Sequence, residues 1–364
     1  METWELTSEI NNDTRLADIT ILTMELTLAI PGIIGNLLVC VTIFGANILH
    51  NKTNYFISSL AVADLLMCFL ALIFNNQVML LVFKFIPENI LAREVFCRII
   101  VNKYLFWATA IASTYNLIGV TLERFIAIVF PFHYLTIYTS RRVRIMFCVA
   151  WISAFIVQSY LIIFTFYDST REICVYDISE KSVQILVGIW ALSLTHVIPL
   201  CALIMMYIRI ILTIRKSEIN QRQMLGNGSE ISSAKWKVIR ILLIVTIMYI
   251  LFWTPTELIF VGAHFGLQYL DASATLRRIF FVFPLANSVV NPVVYCLKYK
   301  QFREGIVVVF CLYRHKGRVY FAGPKSRPRV PTVMTISCNV LETNTTTIGN
   351  DETTEVLSTE SEHL

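Results

Sequence analysis

Charge is what this sequence lacks most. Only 15% of its 364 residues are Asp, Glu, Lys or Arg, against 56% hydrophobic, and the mean hydropathy of +0.65 exceeds what a soluble core requires. The chain is read as an integral membrane protein. Also missing is the alternating ten-residue pattern of a membrane β-barrel, so the expected fold class is all-α. No HExxH, GxSxG or Walker-type run occurs, which leaves catalysis without an anchor, and an enzyme is not expected. The first 20 residues are polar and hold no apolar leader core, so the first span is expected to direct its own insertion. The net charge of +5 is spread over separate connecting segments, which gives no surface for nucleic acid.

What is present is a series of long apolar runs. Windows of about 19 residues pick out seven, at 21–45, 55–83, 96–130, 143–166, 183–213, 238–264 and 275–297. Each is long enough for a membrane helix. Lys and Arg concentrate between the third and fourth runs (Arg141, Arg142, Arg144), around the fifth-to-sixth connection (Arg209, Arg215, Lys216, Arg222, Lys235, Lys237, Arg240) and after the seventh (Lys298, Lys300, Arg303). Those segments are expected inside and the acidic amino terminus outside. The layout is then an extracellular segment 1–20, a seven-helix transmembrane bundle 21–297, an amphipathic helix 298–312 on the inner membrane face and a disordered cytoplasmic tail 313–364. Asn12-Asp13-Thr14 is a glycosylation sequon on the outer side. The tail hydroxyls, among them Thr343, Thr353 and Ser361, sit among acids as kinase targets do.

Nine cysteines sort by compartment. Cys97 and Cys174 are the outside candidates, and a bridge is favoured over two free thiols. Cys311 follows the amphipathic stretch, where a cytosolic cysteine can take a palmitoyl chain, with chance placement as the alternative.

Polar residues inside the runs are where function is sought, because each is expensive in lipid. Asp64 stands alone near the middle of the second run, so it must be neutral, paired or bound to a cation. Glu123 and Arg124 end the third run, as a headgroup anchor or as part of a mechanism. Pro199, Pro255 and Pro292 interrupt the last three runs, which suggests a bundle built to move.

Gly35-Asn36, Leu60-Ala61-Val62-Ala63-Asp64, Glu123-Arg124-Phe125, Trp151, Phe252-Trp253-Thr254-Pro255 and Asn291-Pro292-Val293-Val294-Tyr295 follow one another in order. In this order and spacing, the chain resembles the rhodopsin-like (class A) G-protein-coupled receptors. The resemblance implies a plasma-membrane receptor that activates heterotrimeric G proteins by outward movement of the sixth helix, with receptor kinases and arrestin acting on the tail. It implies a sodium pocket at Asp64, Ser113, Asn287, Ser288 and Asn291, with no other cofactor. It implies an activation switch in Glu123, Arg124, Tyr207, Asn291, Pro292 and Tyr295, an aromatic pocket floor at Trp253, and the Cys97–Cys174 bridge.

Several positions depart from the family pattern. Phe125 replaces the usual tyrosine, and Lys235 and Lys237 stand where relatives often place an acid, so Glu123 is expected to hold Arg124 alone. Tyr249 replaces an interior phenylalanine, and no proline occurs near Ser159 and Tyr160. Cys97 is further from Arg124 than is usual, so a bulge is expected at the outer end of the third helix.

The ligand contacts expected are Lys103, Phe106, Trp253, Glu257, Phe260, His264 and Phe281. Glu257 lies one turn beyond Trp253 on the same face; it either meets the ligand or pairs with Lys103. No aspartate of the amine-receptor kind occurs on the third-run stripe, and no lysine in the seventh run could form a retinal Schiff base. Arg277 and Arg278 line the rim or flank the membrane. An acid inside with bases at the rim suits a peptide ligand; a small non-amine ligand is the alternative. A transporter or channel using Asp64 competes from another class, but no inverted internal repeat supports it.

Overall fold

Apolar helices that satisfy their own backbone hydrogen bonds are what lipid tolerates, and the computed structural model is built of them. It describes residues 2–3, 12–75, 89–225, 230–267 and 274–314. Among these, seven helices are long and apolar enough to cross a membrane, as the sequence predicts, and the protein is a multi-pass helical bundle. The first span lies in Asn12–Gly45 and the second in Lys52–Ile73. The third is Tyr104–Val129, preceded by Ile90–Val95 and a π turn at Phe96–Val101. Ser140–Val157, continued by Ser159–Ile163, is the fourth. The fifth joins Lys181–Leu192 to Ile198–Leu225 through a π turn at Ser193–Val197, just before Pro199. Glu230–Phe265 contains the sixth and Phe283–Lys298 the core of the seventh.

Several bounds differ from the sequence reading. The first helix begins at Asn12, inside the stretch read as an amino-terminal segment, and the second ends at Ile73, short of the predicted 83. Residues 76–88 lie outside the described residues, as do the side chains of Asn12, Lys235, Lys237, Arg277 and Cys311 and residues 315–364 of the tail.

Large apolar side chains such as Ile34, Phe69, Ile152, Met205 and Leu251 point outward and are exposed, which suits a lipid-facing surface. Small residues set the helix spacing within. A Cβ on Gly35 would come within 2.9 Å of the Pro292 ring, so the first and seventh spans touch through this glycine. On Gly119 it would meet the Phe56 ring at 2.9 Å.

The expected bulge is present. After the π turn, Lys103 adopts φ 54 and ψ 32, a left-handed conformation rare for a side-chain-bearing residue. Neighbours fix the break: Asn102 Nδ2 donates to the Leu161 carbonyl at 2.7 Å and also to the Thr165 hydroxyl, and Arg98 donates to the Ile162 carbonyl at 2.7 Å. Three short antiparallel strands cover this end in the order β1 (Glu2–Thr3), β3 (Ile173–Tyr176), β2 (Thr165–Asp168). Thr165 pairs with Tyr176 and Asp168 with Ile173. The hairpin turn is tied by Asp168, whose carboxyl is held below the usual range by the Thr170 hydroxyl and amide. A disulfide joins Cys97 to Cys174, as expected, and anchors β3 to the π turn.

Residues Met1–Val309 form one compact unit. It includes the expected amphipathic helix, Lys300–Arg314, as far as Val309; this part buries Phe302 and Val309 and sets Gly305 against Leu49 and Thr42. Phe310–Leu364 is a second unit, described only in its helical backbone to Arg314.

Candidate functional site

Three features sit along the bundle. In the middle is Asp64, fully buried. Ser113 Oγ donates to Asp64 Oδ1 at 2.6 Å, Ser288 Oγ to the same atom at 2.8 Å, and Asn291 Nδ2 to Oδ2 at 2.7 Å. Four of the five predicted cage residues are thus joined, and the second, third and seventh spans meet at one carboxylate. Asn287 makes no bond to Asp64; its Oδ1 and that of Asn291 are buried acceptors without donors among the described residues. An acid surrounded by hydroxyls and unpartnered amide oxygens is a donor set for a hard monovalent cation, so the residues fit the sodium ion that the sequence implies. Asn36 backs the cage by donating to the Ser288 carbonyl at 3.0 Å.

The second feature is the end of the third span. Glu123 is 1% exposed and its Oε2 lies 3.2 Å from Arg124 Nε, an ion pair whose angle is poor for a hydrogen bond. The hydrogen bonds go elsewhere. Arg124 donates to the Thr53 hydroxyl of the second span, and the Tyr134 hydroxyl donates to Glu123 Oε1 at 2.5 Å. Burial and this bond to Glu123 push the Tyr134 phenol up, so it stays a donor at any working pH. The expectation that Glu123 alone holds Arg124 is therefore corrected: Thr53 shares the guanidinium and Tyr134 orients the acid. Tyr207 accepts from Thr246 at 3.1 Å and sits 3.4 Å from the Thr121 hydroxyl, tying the fifth span to the sixth and third. The Tyr295 hydroxyl is buried without a hydrogen-bond partner among the described residues. Among the described residues no hydrogen bond joins any two of Arg124, Tyr207 and Tyr295.

The third feature is a cavity of about 720 Å³ under the hairpin, within the range of ligand pockets. All seven residues expected to meet a ligand line it: Lys103, Phe106, Trp253, Glu257, Phe260, His264 and Phe281. Trp253 is buried beside Tyr249, their rings 5.9 Å apart. Phe260 stacks on His264 at 4.0 Å, and the Tyr176 hydroxyl of β3 lies 3.4 Å from His264 Nε2. Glu257 does not pair with Lys103. Its partner is Thr195, in the π turn of the fifth span, whose Oγ1 donates to Glu257 Oε1 at 3.0 Å. Arg278 meets Asp18 of the first span at 2.6 Å, and Glu25 of the same span accepts from Asn75.

Sequence reasoning missed Thr53, Tyr134, Glu25, Asn75, Asn102 and Thr195. Glu25 and Asn75 carried a readable signal, as polar residues within apolar runs. The others are ordinary polar residues, and apart from Tyr134 their partners are remote in the chain.

Comparisons with known proteins agree with this geometry. The family model described as 7 transmembrane receptor (rhodopsin family) matches residues 35–295, more than half of the chain. The chain is similar to the tachykinin-like peptides receptor 86C of Drosophila melanogaster, with 26% identity over 81% of this chain and 59% of that one. It thus spans under two thirds of that relative's length. It is 27% identical to galanin receptor 2b of Danio rerio, over 79% of this chain and 74% of the relative. To adenosine receptor A2a of Canis lupus familiaris it is 26% identical, over 78% and 70%.

Proposed function

The chain belongs to the rhodopsin family of seven-transmembrane receptors, and on that premise we propose that it converts binding of an extracellular peptide into activation of heterotrimeric G proteins at the plasma membrane. The observation that carries this reading is the cavity floored by Trp253 at one end of the bundle, with Arg124 tethered at the other. The tachykinin-like and galanin relatives support a peptide; the adenosine relative keeps a small non-amine ligand as the alternative.

The hairpin end faces outward in this reading and the Glu123–Arg124 end faces the cytoplasm. A ligand in the cavity touches the sixth span at Trp253 and Glu257. Glu257 is bonded to the fifth span, and Thr246 bonds Tyr207 lower on the same pair, so a shift of the sixth span is felt along its length. When it swings out, Arg124 leaves Thr53 and Glu123 to meet Tyr207 and Tyr295, and the inner face admits the G protein. Asp64, Ser113, Ser288, Asn287 and Asn291 would hold a sodium ion that neutralises the buried acid and favours the resting bundle. Receptor kinases and arrestin act on the tail.

The test is one expressing cell line exposed to a neuropeptide library, with G-protein activation, membrane current and uptake read side by side. A G-protein response without ligand-gated current or uptake is expected. Current or uptake without a G-protein response would overturn the reading.

A further inference from the structure

Among the described residues, the cavity is lined by three carboxylates, Glu25, Asp177 and Glu257, against two cations, Lys103 and Arg278. One of these cations is already paired: Arg278 forms an ion pair with Asp18 at 2.6 Å. Asp177, near the mouth, accepts from Ser179. Glu257 is different. It is 8% exposed, lines the cavity beside Trp253, and among the described residues makes a single hydrogen bond, through Oε1, and no ion pair. A buried acid with one neutral donor is incompletely compensated. Around it the cavity is aromatic: Trp107 sits edge-on to Phe106 at 5.0 Å and to Phe281 at 5.5 Å, and Phe260 is on the next turn of the sixth span. Aromatic faces next to an acid make a receptacle for an organic cation.

We propose that Glu257 is the specificity residue of the ligand site, and that the ligand presents to it a protonated amine or guanidinium set among aromatic side chains. This rests on the receptor reading and sharpens it: Arg278 is paired with Asp18, whereas Glu257 has no cation beside it among the described residues, so the ligand's positive group is what selects it. Thr195 holds the carboxylate in place, and the incoming cation supplies the second partner.

The test uses the full-length chain in lipid nanodiscs and two blocked pentapeptide libraries, identical except for arginine or norleucine at the central position. Peptides retained by the protein are counted by mass spectrometry. Retention of the arginine library should exceed that of the norleucine library by about tenfold, the scale of a charge-assisted hydrogen bond, and Glu257→Gln should remove the difference. Agmatine added as competitor separates two sources of the cation: displacement shows that a free organic cation suffices, and no displacement shows that the peptide backbone is needed. Equal retention of the two libraries by the wild type would overturn the proposal, even if the variant fails to fold. So would arginine selection that survives Glu257→Gln. Selection involves no G protein, so selection without nucleotide exchange would sink the receptor reading and leave this one standing.

Discussion

Thr53 accepts a hydrogen bond from the Arg124 guanidinium, so the second span, as well as Glu123, holds the charge at the end of the third. Bonds to charged groups contribute about 1.5–3 kcal/mol. Thr53→Val should therefore raise ligand-free G-protein signalling about tenfold relative to wild type at matched surface expression. An unchanged basal signal would show that Thr53 plays no part in holding Arg124.

Asp64 accepts from three donors on two neighbouring spans, and its cage contains two unpartnered amide oxygens. If the cage takes sodium, the melting temperature of the purified protein should be higher in sodium chloride than in choline chloride at equal ionic strength. Asp64→Asn should flatten that difference. Equal melting of the wild type in both salts would argue against the cation.

The Cys97–Cys174 bridge closes a loop with a sequence separation of 77. Loop-closure entropy puts its loss at about 4 kcal/mol. Replacing both cysteines with alanine should lower the melting temperature by several degrees and weaken ligand binding, because β3 carries Tyr176 into the cavity wall. Intact binding after replacement would mean that the strand pairing alone holds the hairpin.

Gly35 faces Pro292 with no room for a methyl group, since a Cβ would lie 2.9 Å from the proline ring. Overpacking of this kind costs about 1–3 kcal/mol, so Gly35→Ala should lower the melting temperature by a few degrees. Unaltered melting would mean that the first and seventh spans can separate without penalty.

The sequence made the spans and the motif residues legible because lipid imposes strong rules: long apolar runs, and polar residues only where they are used. The lone buried acid Asp64 said that partners were needed, and the family resemblance said which; helical spacing from Trp253 placed Glu257 and His264 on the cavity wall. The bulge before Lys103 showed in the displaced cysteine. The pairings Thr53–Arg124 and Thr195–Glu257 were not legible, because a threonine is tolerated in a helix without any partner and hydrogen bonds to its own backbone carbonyl as readily. Pairing of Glu257 with Lys103 was one of two readings open in the sequence, and the structure gives Glu257 the Thr195 hydroxyl instead.

The central claim is that a ligand in the cavity frees Arg124 to engage a G protein. It is tested most directly by guanine-nucleotide exchange on a purified heterotrimeric G protein, catalysed by the full-length chain in nanodiscs with an agonist from the library screen. The account predicts agonist-dependent acceleration by the wild type, and its loss in Arg124→Ala with agonist binding retained. Saturating agonist that binds the wild type but leaves exchange at the receptor-free rate, on every G-protein subtype tried, would contradict it.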